Sequence, residues 1–168
     1  MVKEVKDWPI QIDKTVELRT ECLFGGVEEN IRDLSFCFGS PSYLESVEKV
    51  IKEANLKNGR AEIELYVAVI DQYGPTPKIS NIISGLTLSL YPSISEAYLT
   101  VRIEVKKRDK LLGIVSKTEK ILIVQEAFLI LLYPFYGDYV ANDFPKIFAN
   151  LTKAVITEIK EKRILEIK

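Results

Sequence analysis

The amino-acid sequence predicts an α+β fold, a two-layer sandwich in which a four-stranded mixed sheet carries two helices on one face. Four segments alternate apolar and polar residues, as half-buried strands do. Two further segments repeat apolar residues at helical spacing, so each offers one apolar face to a sheet. The segments follow one another as strand, helix, strand, strand, strand, helix, and together they predict a single domain over residues 1–168.

The four strands are recognised by their alternation. In residues 12–22, apolar side chains point to one face and charged side chains point to the other. The paired Gly25 and Gly26 are expected to end this strand, because glycines interrupt strand patterns. The later strands are expected over residues 60–71, 97–106 and 111–126, the last of them bulged near Gly113.

The two helices are recognised by their start signals and apolar stripes. Ser42 and Glu45 form a capping box that starts the first helix, and Asn58 with Gly59 is expected to stop it. Asp143 is expected to cap the second helix. The apolar stripes comprise Tyr43, Leu44, Val47, Val50, Ile51 and Ala54 in the first helix, and Phe144, Ile147, Phe148, Leu151, Val155 and Ile159 in the second. This order predicts a parallel crossover from the first strand to the second, followed by an antiparallel meander of the last three strands.

Composition and charge exclude several classes of function. The formal net charge is -1, so no overall positive field favours nucleic acid. The sequence contains no histidine, which removes the commonest general base and the commonest zinc ligand. With two cysteines, the chain cannot supply a four-thiolate metal site. No cofactor, no metal site and no catalytic residue is therefore expected.

Cys22 and Cys37 leave two interpretations open. A disulfide between them would close a loop of about 16 residues and stabilise the fold by roughly 3 kcal/mol. Alternatively, both are buried free thiols that pack as small apolar side chains.

Two uncharged apolar runs interrupt a chain that is otherwise rich in lysine and glutamate. They read IISGLTLSLYPSIS at residues 82–95 and FLILLYPFYG at residues 128–137, and they share the element Leu-Tyr-Pro. Both are shorter than the roughly 20 residues that a membrane-spanning helix needs. The strand directions of the predicted topology place both runs, and the end of the first strand, at one end of the sheet.

Three interpretations of the paired runs stay open. They pack on each other and cap the core, they form a docking surface for a partner or a second copy of the chain, or they insert shallowly into a lipid interface. Tyrosines in and near the runs suit all three, because their rings are apolar with one polar tip.

Charged side chains offer two further candidate sites, and each has a simpler interpretation. Glu62, Glu64 and Asp71 recur on one strand; Glu62 and Glu64 share a face and would suit a cation or an acid/base pair, but a solvated strand face is favoured. The basic stretch KKRDK at residues 106–110, with Arg102, Lys117 and Lys120, would suit phosphate or an anionic headgroup, but an exposed hairpin tip with charged strand faces is favoured. Serines such as Ser95 have no histidine to activate them.

Residues 80–160 resemble a known group of proteins. The segment from Gly85 to Ser93, the strand pair over 97–126, the stretch from Leu131 to Pro134 and the Asn150-Leu151 element occur in the order found in small bacterial envelope lipoproteins of unknown function. The order of strands and helices is also similar to that of the lipoprotein subunit of the lipopolysaccharide assembly complex and of auxiliary lipoproteins of envelope lipid transporters. The resemblance implies a location on the periplasmic side of a bacterial membrane, through a lipid anchor that is absent from this chain.

The resulting expectation is a non-enzymatic envelope lipoprotein domain that binds a protein or a lipid-linked partner through its apolar end. Association with a membrane surface and homo-oligomerisation are compatible with the same end. The residues expected to make the contact are Leu86, Leu88, Tyr91, Leu129, Leu131 and Tyr133. The alternative is a cytosolic α/β adaptor or oligomerisation domain that uses the same apolar end as a subunit interface.

Overall fold

The computed structural model describes residues 8–26, 40–74, 93–125 and 143–166. In chain order the elements are β1 (Lys14–Gly26), α1 (Ser40–Glu53), β2 (Leu56–Asn58), β3 (Ile63–Tyr73), β4 (Ser93–Lys107), β5 (Lys110–Gln125), α2 (Asp143–Glu161) and the short 3₁₀ helix η1 (Ile164–Glu166). The described residues therefore form an α+β fold with a mixed sheet and two α-helices, as the sequence predicts.

The sheet has five strands in the order β2-β1-β3-β4-β5. β1 is parallel to both β2 and β3, whereas β3, β4 and β5 form an antiparallel meander. The predicted parallel crossover through α1 and the predicted meander are both confirmed. β1, β3 and β5 consequently run in one direction, and β4 runs in the other.

The predicted number of four strands is wrong, because β2 adds a fifth at the edge of the sheet. α1 ends at Glu53 rather than at Asn58-Gly59, and Asn55 turns the chain with a positive φ of 56°. Leu56 then pairs with Lys14 and lies buried against the core. A strand of three residues is too short to show alternation, so no local pattern reveals it.

β1 runs further than its alternation predicts. Gly25 and Gly26 belong to the strand and pair in parallel register with Gln72 and Tyr73 of β3. The predicted strand over residues 12–22 is therefore too short at its end. β1 continues through the glycines, whose backbone makes the same ladder hydrogen bonds as other residues, and its described part ends at Gly26. β1 and β3 therefore end level with each other.

One hydrophobic cluster fills the space between the sheet and the two helices. Alternate residues of β3 and β4 face the helices and are fully buried, for example Leu65 and Leu99. The helices contribute their predicted stripes, in which Phe148 and Leu151 are fully buried. Burying a side chain of this size contributes roughly 1.5–3 kcal/mol. Because both helices share this cluster with the same strand face, they lie on one side of the sheet.

The predicted bulge near Gly113 is confirmed. The register of β4 with β5 shifts between Val105, which faces Gly113, and Lys106, which faces Leu111. A Cβ atom at Gly113 would lie 3.1 Å from Cδ1 of Ile164. Glycine at this position therefore lets η1 approach the sheet closely.

Candidate functional site

The three longest connections of the chain leave the sheet at one end, here called the loop end. β1 ends at Gly26, level with the end of β3 at Tyr73, and β4 begins at Ser93, level with the end of β5 at Gln125. The connections are residues 27–39, 75–92 and 126–142. Each joins two described elements at this end.

Both helices run from the loop end toward the opposite end of the sheet, here called the turn end. The N–H of Ile12, beside the start of β1, donates to the carbonyl of Ala54 just after α1. Beyond α2, Ile164 packs at Gly113, close to the β4–β5 turn. The first turns of both helices are therefore the ones that lie toward the loop end.

Aromatic rings join these first turns of the two helices. The Tyr43 ring of α1 lies 4.8 Å from the Phe148 ring and 6.2 Å from the Phe144 ring of α2, measured between ring centroids. Phe148 is fully buried. Such aromatic contacts contribute about 0.5–1.5 kcal/mol beyond simple burial, so the helix layer is held together near the loop end.

Short turns close the turn end. Two residues are enough to join β4 to β5, and the connections from α1 to β2 and from β2 to β3 are also short. In the described part of the chain, the non-glycine residues with positive φ are Asp13, Asn55, Arg108, Asp109 and Arg163, and all of them lie at this end. The two ends of the sheet therefore differ: one carries long connections and the other carries tight turns.

The residues predicted to contact a partner lie outside the described residues. They are Leu86, Leu88, Tyr91, Leu129, Leu131 and Tyr133, within the connections 75–92 and 126–142. Both connections start and finish at the loop end. The strand directions predicted from the sequence place the apolar runs at this same end. Their contact with a partner stays a prediction.

A buried carboxyl group lies on β3 near the loop end. Asp71 is 3% exposed and is level with Phe24 of β1 and Leu99 of β4. Burial raises the pKa of Asp71 to about 6. Its Oδ1 atom has no hydrogen-bond partner among the described residues. Below this pKa the side chain is neutral and can donate a hydrogen bond, whereas above it a buried charge opposes folding.

The expectation that Asp71 belongs to a solvated strand face is wrong. Strand alternation places Asp71 on the face of Val67 and Val69, which are fully buried, and away from Glu64. The interval of two residues from Val67 to Val69 and from Val69 to Asp71 is the sequence signal that places Asp71 on the buried face. The type of side chain concealed it, because an aspartate in a strand is usually exposed.

A second polar cluster lies on the outer face of the sheet, away from the helices. Tyr98 Oη donates to Glu96 Oε2 at 2.8 Å, and Lys120 Nζ lies 2.6 Å from Glu96 Oε1. Hydrogen bonds from Lys120 and then Tyr98 lower the pKa of Glu96, and the bond to Glu96 raises the pKa of both partners. The raised pKa keeps Tyr98 protonated, so this cluster is an ion-paired surface group and not an activated nucleophile.

The basic residues in and near the hairpin do not come together as one patch. Arg108 pairs with Glu62 at the turn end. Lys117 Nζ lies 2.5 Å from Glu158 Oε2 of α2, on the helix side of the sheet, whereas Lys120 belongs to the outer-face cluster. The structure agrees with the favoured interpretation of an exposed hairpin tip and charged strand faces.

Cys22 is disulfide-bonded and packs at the margin of the hydrophobic cluster. The sequence contains one other cysteine, Cys37, which lies outside the described residues. The pairing of these two cysteines stays a prediction. Cys22 lies level with Val69 of β3, two residues before the row that contains Asp71.

A metal site needs clustered ligand side chains, and a membrane-spanning helix must be long and apolar; neither occurs among the described residues. No group of three or more histidine, cysteine or acidic side chains among them could hold a metal ion. Neither α1 nor α2, the helices described, is long and apolar enough to cross a membrane.

No protein-family model matches this sequence, and no curated protein matches it. Solved structures do share similarity with it. A Xanthomonas campestris protein of the family model DUF330 has a TM-score of 0.46 and 9% identity, covering 97% of this chain and 95% of that chain. Rare lipoprotein B from Shewanella oneidensis has a TM-score of 0.48 and 12% identity, covering 91% and 99%. A minor lipoprotein from Acinetobacter baumannii has a TM-score of 0.46 and 9% identity, covering 92% and 96%.

The structures similar to this chain thus include bacterial lipoproteins, as the sequence resemblance predicts. Among these three, the identities reach only 12% and the TM-scores only 0.48. Similarity at this level does not indicate the function of this chain.

Proposed function

We propose that this chain is a non-enzymatic domain of the bacterial envelope that binds a protein or lipid-linked partner through the loop end. One observation carries the proposal: the three longest connections leave the sheet at that end, while tight turns close the other end. Two of these connections contain most of the uncharged apolar run 82–95 and all of the run 128–137. Binding residues are commonly found on loops that a rigid scaffold presents at one end.

The scaffold beneath the loop end is well ordered by its contacts. The N–H of Gly74 donates to the carbonyl of Glu96 at 2.7 Å, so the backbone is held up to the residue before connection 75–92. Ala97 on β4 is fully buried, and the Tyr43–Phe148 contact joins the helices. The backbone positions at which the connections leave the sheet and the helices are therefore held by defined contacts.

Charges on the described strands favour an apolar contact over an ionic one. Arg19 Nε lies 3.1 Å from Glu64 Oε1, and Lys120 Nζ lies 2.6 Å from Glu96 Oε1. Because each of these positive side chains lies beside a negative one on the neighbouring strand, they present no patch of a single sign to a charged ligand. The uncharged runs are then the part of the chain with a distinct surface chemistry.

A role without catalysis is supported by the sequence, which has no histidine to act as a general base. The resemblance over residues 80–160 supports a place on the periplasmic side of a bacterial membrane. The alternative, a cytosolic adaptor that uses the loop end as a subunit interface, shares the surface but differs in its partner.

The test is affinity capture from a detergent-solubilised envelope extract, comparing the wild type with a Leu88→Asp/Leu131→Asp double variant. We expect the variant to lose the captured partner, because burying an unpaired carboxylate in an apolar contact costs several kcal/mol. Leu111→Asp is the matched control, since Leu111 is 47% exposed and lies at the turn end. Protease treatment of the captured material distinguishes a protein partner from a lipid-linked one.

Two results would contradict the proposal. If the double variant keeps wild-type circular dichroism and captures the same partners as the wild type, the apolar runs only cover the core. If instead the wild type forms a stoichiometric self-complex that the double variant breaks, the loop end is a subunit interface, as the adaptor alternative requires.

A further inference from the structure

β5 is a long strand with a free edge. It pairs with β4 over Lys110–Gln125, and no strand of the described residues pairs with its other side. The other edge of the sheet is the three-residue strand β2. Proteins usually shorten, cover or distort exposed edges, because their unpaired backbone groups recruit another strand. The bulge at Gly113 distorts the edge near the turn end but leaves residues 114–122 regular.

The exposed large hydrophobic side chains of the described residues all lie on β5. Leu111, Ile114 and Leu122 are 47%, 45% and 65% exposed. They point away from the helices, because they pair with outward-facing residues of β4. The free edge is therefore bordered by apolar side chains on its outer side.

Two β5 strands are complementary to each other in one antiparallel register. With Thr118 opposite Thr118 of a second copy, Lys117 lies opposite Glu119 on the helix side of the sheet. On the outer side, Ile114 lies opposite Leu122. Twofold symmetry repeats each of these pairs, so both the charged and the apolar contacts occur twice. Cross-strand pairs of opposite charge or of apolar side chains contribute roughly 0.2–1 kcal/mol each.

Neighbouring registers are opposed by charge. A register with Lys117, Glu119 or Lys120 opposite itself places like charges against each other, which destabilises a strand pair. The register centred on Thr118 avoids all three repulsions. Charge and apolar complementarity therefore select the same register.

We propose that the chain forms a symmetric homodimer in which two β5 edges pair antiparallel about Thr118 and join two five-stranded sheets into one. The twofold axis is perpendicular to the sheet, so the helices of both copies lie on the same face. The two loop ends then point in opposite directions. Dimerisation does not use the loop end, and it is separable from the partner binding proposed above.

The first test is sedimentation velocity on the full chain over a concentration series. Ile114→Lys and Leu122→Glu each place a charge against an apolar side chain twice in the dimer. We expect each variant alone to raise the dimer dissociation constant at least about tenfold. An equimolar mixture of the two variants should recover dimers, because one Lys–Glu pair and one Ile–Leu pair then form. Both side chains are exposed, and far-UV circular dichroism verifies that each variant is folded.

The second test examines the register. Opposite residues of an antiparallel pair have Cα atoms about 4.5–5.5 Å apart, which a disulfide can bridge. Two copies of residue 116 would lie roughly 13 Å apart in the proposed register. Oxidation should therefore convert Thr118→Cys, but not the Ser116→Cys control, into a covalent dimer on a non-reducing gel.

The proposal is overturned if the wild type sediments as a monomer throughout the series, or if the mixed variants stay monomeric. Cross-linking of Ser116→Cys without cross-linking of Thr118→Cys would overturn it as well. The Leu88→Asp/Leu131→Asp variant should remain dimeric whatever it does to partner capture, so the two proposals fail independently.

Discussion

Replacing Asp71 by asparagine removes the buried carboxyl group of β3 while keeping the size of the side chain. Asp71 is 3% exposed, and burial raises its pKa from 3.8 to about 6. In the unfolded chain the carboxyl loses its proton at the lower value. Above that pH, folding must therefore either bind a proton or bury a charge, so the free energy of unfolding of Asp71→Asn should rise relative to that of the wild type as the pH increases.

Proton linkage determines the magnitude. The folded-state pKa of Asp71 lies above the unfolded-state value, so its stabilising contribution is complete below pH 3.8 and is lost as the pH rises through about 6. The loss is small near pH 4, grows as the pH rises through 5 and 6, and reaches about 3 kcal/mol above pH 7. If the asparagine amide has no hydrogen-bond partner, it lowers the stability of the variant by about 1–3 kcal/mol at every pH. The pH dependence of the difference is therefore the quantity to measure.

The assay is urea unfolding without reductant at five pH values from 4 to 8, with circular dichroism as the signal that reports unfolding. The stability of Asp71→Asn relative to the wild type should rise by about 2 kcal/mol across this range. Glu62→Gln is the control, because its side chain is 55% exposed and an exposed ion pair contributes about 0–1 kcal/mol. A difference between Asp71→Asn and wild type that stays constant from pH 4 to pH 8 would refute the reasoning, since Asp71 would then titrate alike in both states.

Three further predictions concern stability, measured by urea unfolding. Phe148→Ala should lower the free energy of unfolding by about 3–5 kcal/mol because the ring is fully buried, and a cost below about 1 kcal/mol would contradict that burial. Gly113→Val should cost about 1–3 kcal/mol because a Cβ atom there lies 3.1 Å from Ile164 Cδ1, and Ile164→Ala in the same chain should recover part of the loss unless the contact is absent. Dithiothreitol should lower the stability of the wild type by roughly 2–4 kcal/mol and leave a Cys22→Ser variant unchanged; equal responses would show that the disulfide does not constrain the chain.

Much of the fold follows from local pattern. Alternation predicts β3, β4 and β5 because one face of each strand is buried, and the helical stripes predict α1 and α2 for the same reason. Alternation does not predict β2 or the last residues of β1. β2 is too short to alternate, and Gly25 with Gly26 has no side chains that could reveal a pattern, although both residues pair with β3.

The candidate site divides in a similar way. The uncharged runs are visible in the sequence because they lack charge, and their place at one end follows from strand direction alone. Asp71 is two residues from Val69, so strand alternation alone places it on the buried face. Its acidic side chain favours exposure instead, and the sequence therefore predicts the wrong environment for it. The outward exposure of Leu122 on β5 depends on which strand lies at the edge, and only the strand order shows that.

The sequence by itself determined the fold class, the parallel crossover, the meander and the absence of histidine chemistry, because each of these depends on residue type and local period. Only the tertiary structure decided that β2 pairs at one side of the sheet, that Asp71 is buried with a raised pKa, and that β5 is the edge strand of the described sheet and carries exposed apolar side chains. The physical reason is that the spacing of apolar residues along a strand or helix indicates on which face of that element a side chain lies. Burial, desolvation and edge exposure depend instead on which distant elements cover that face.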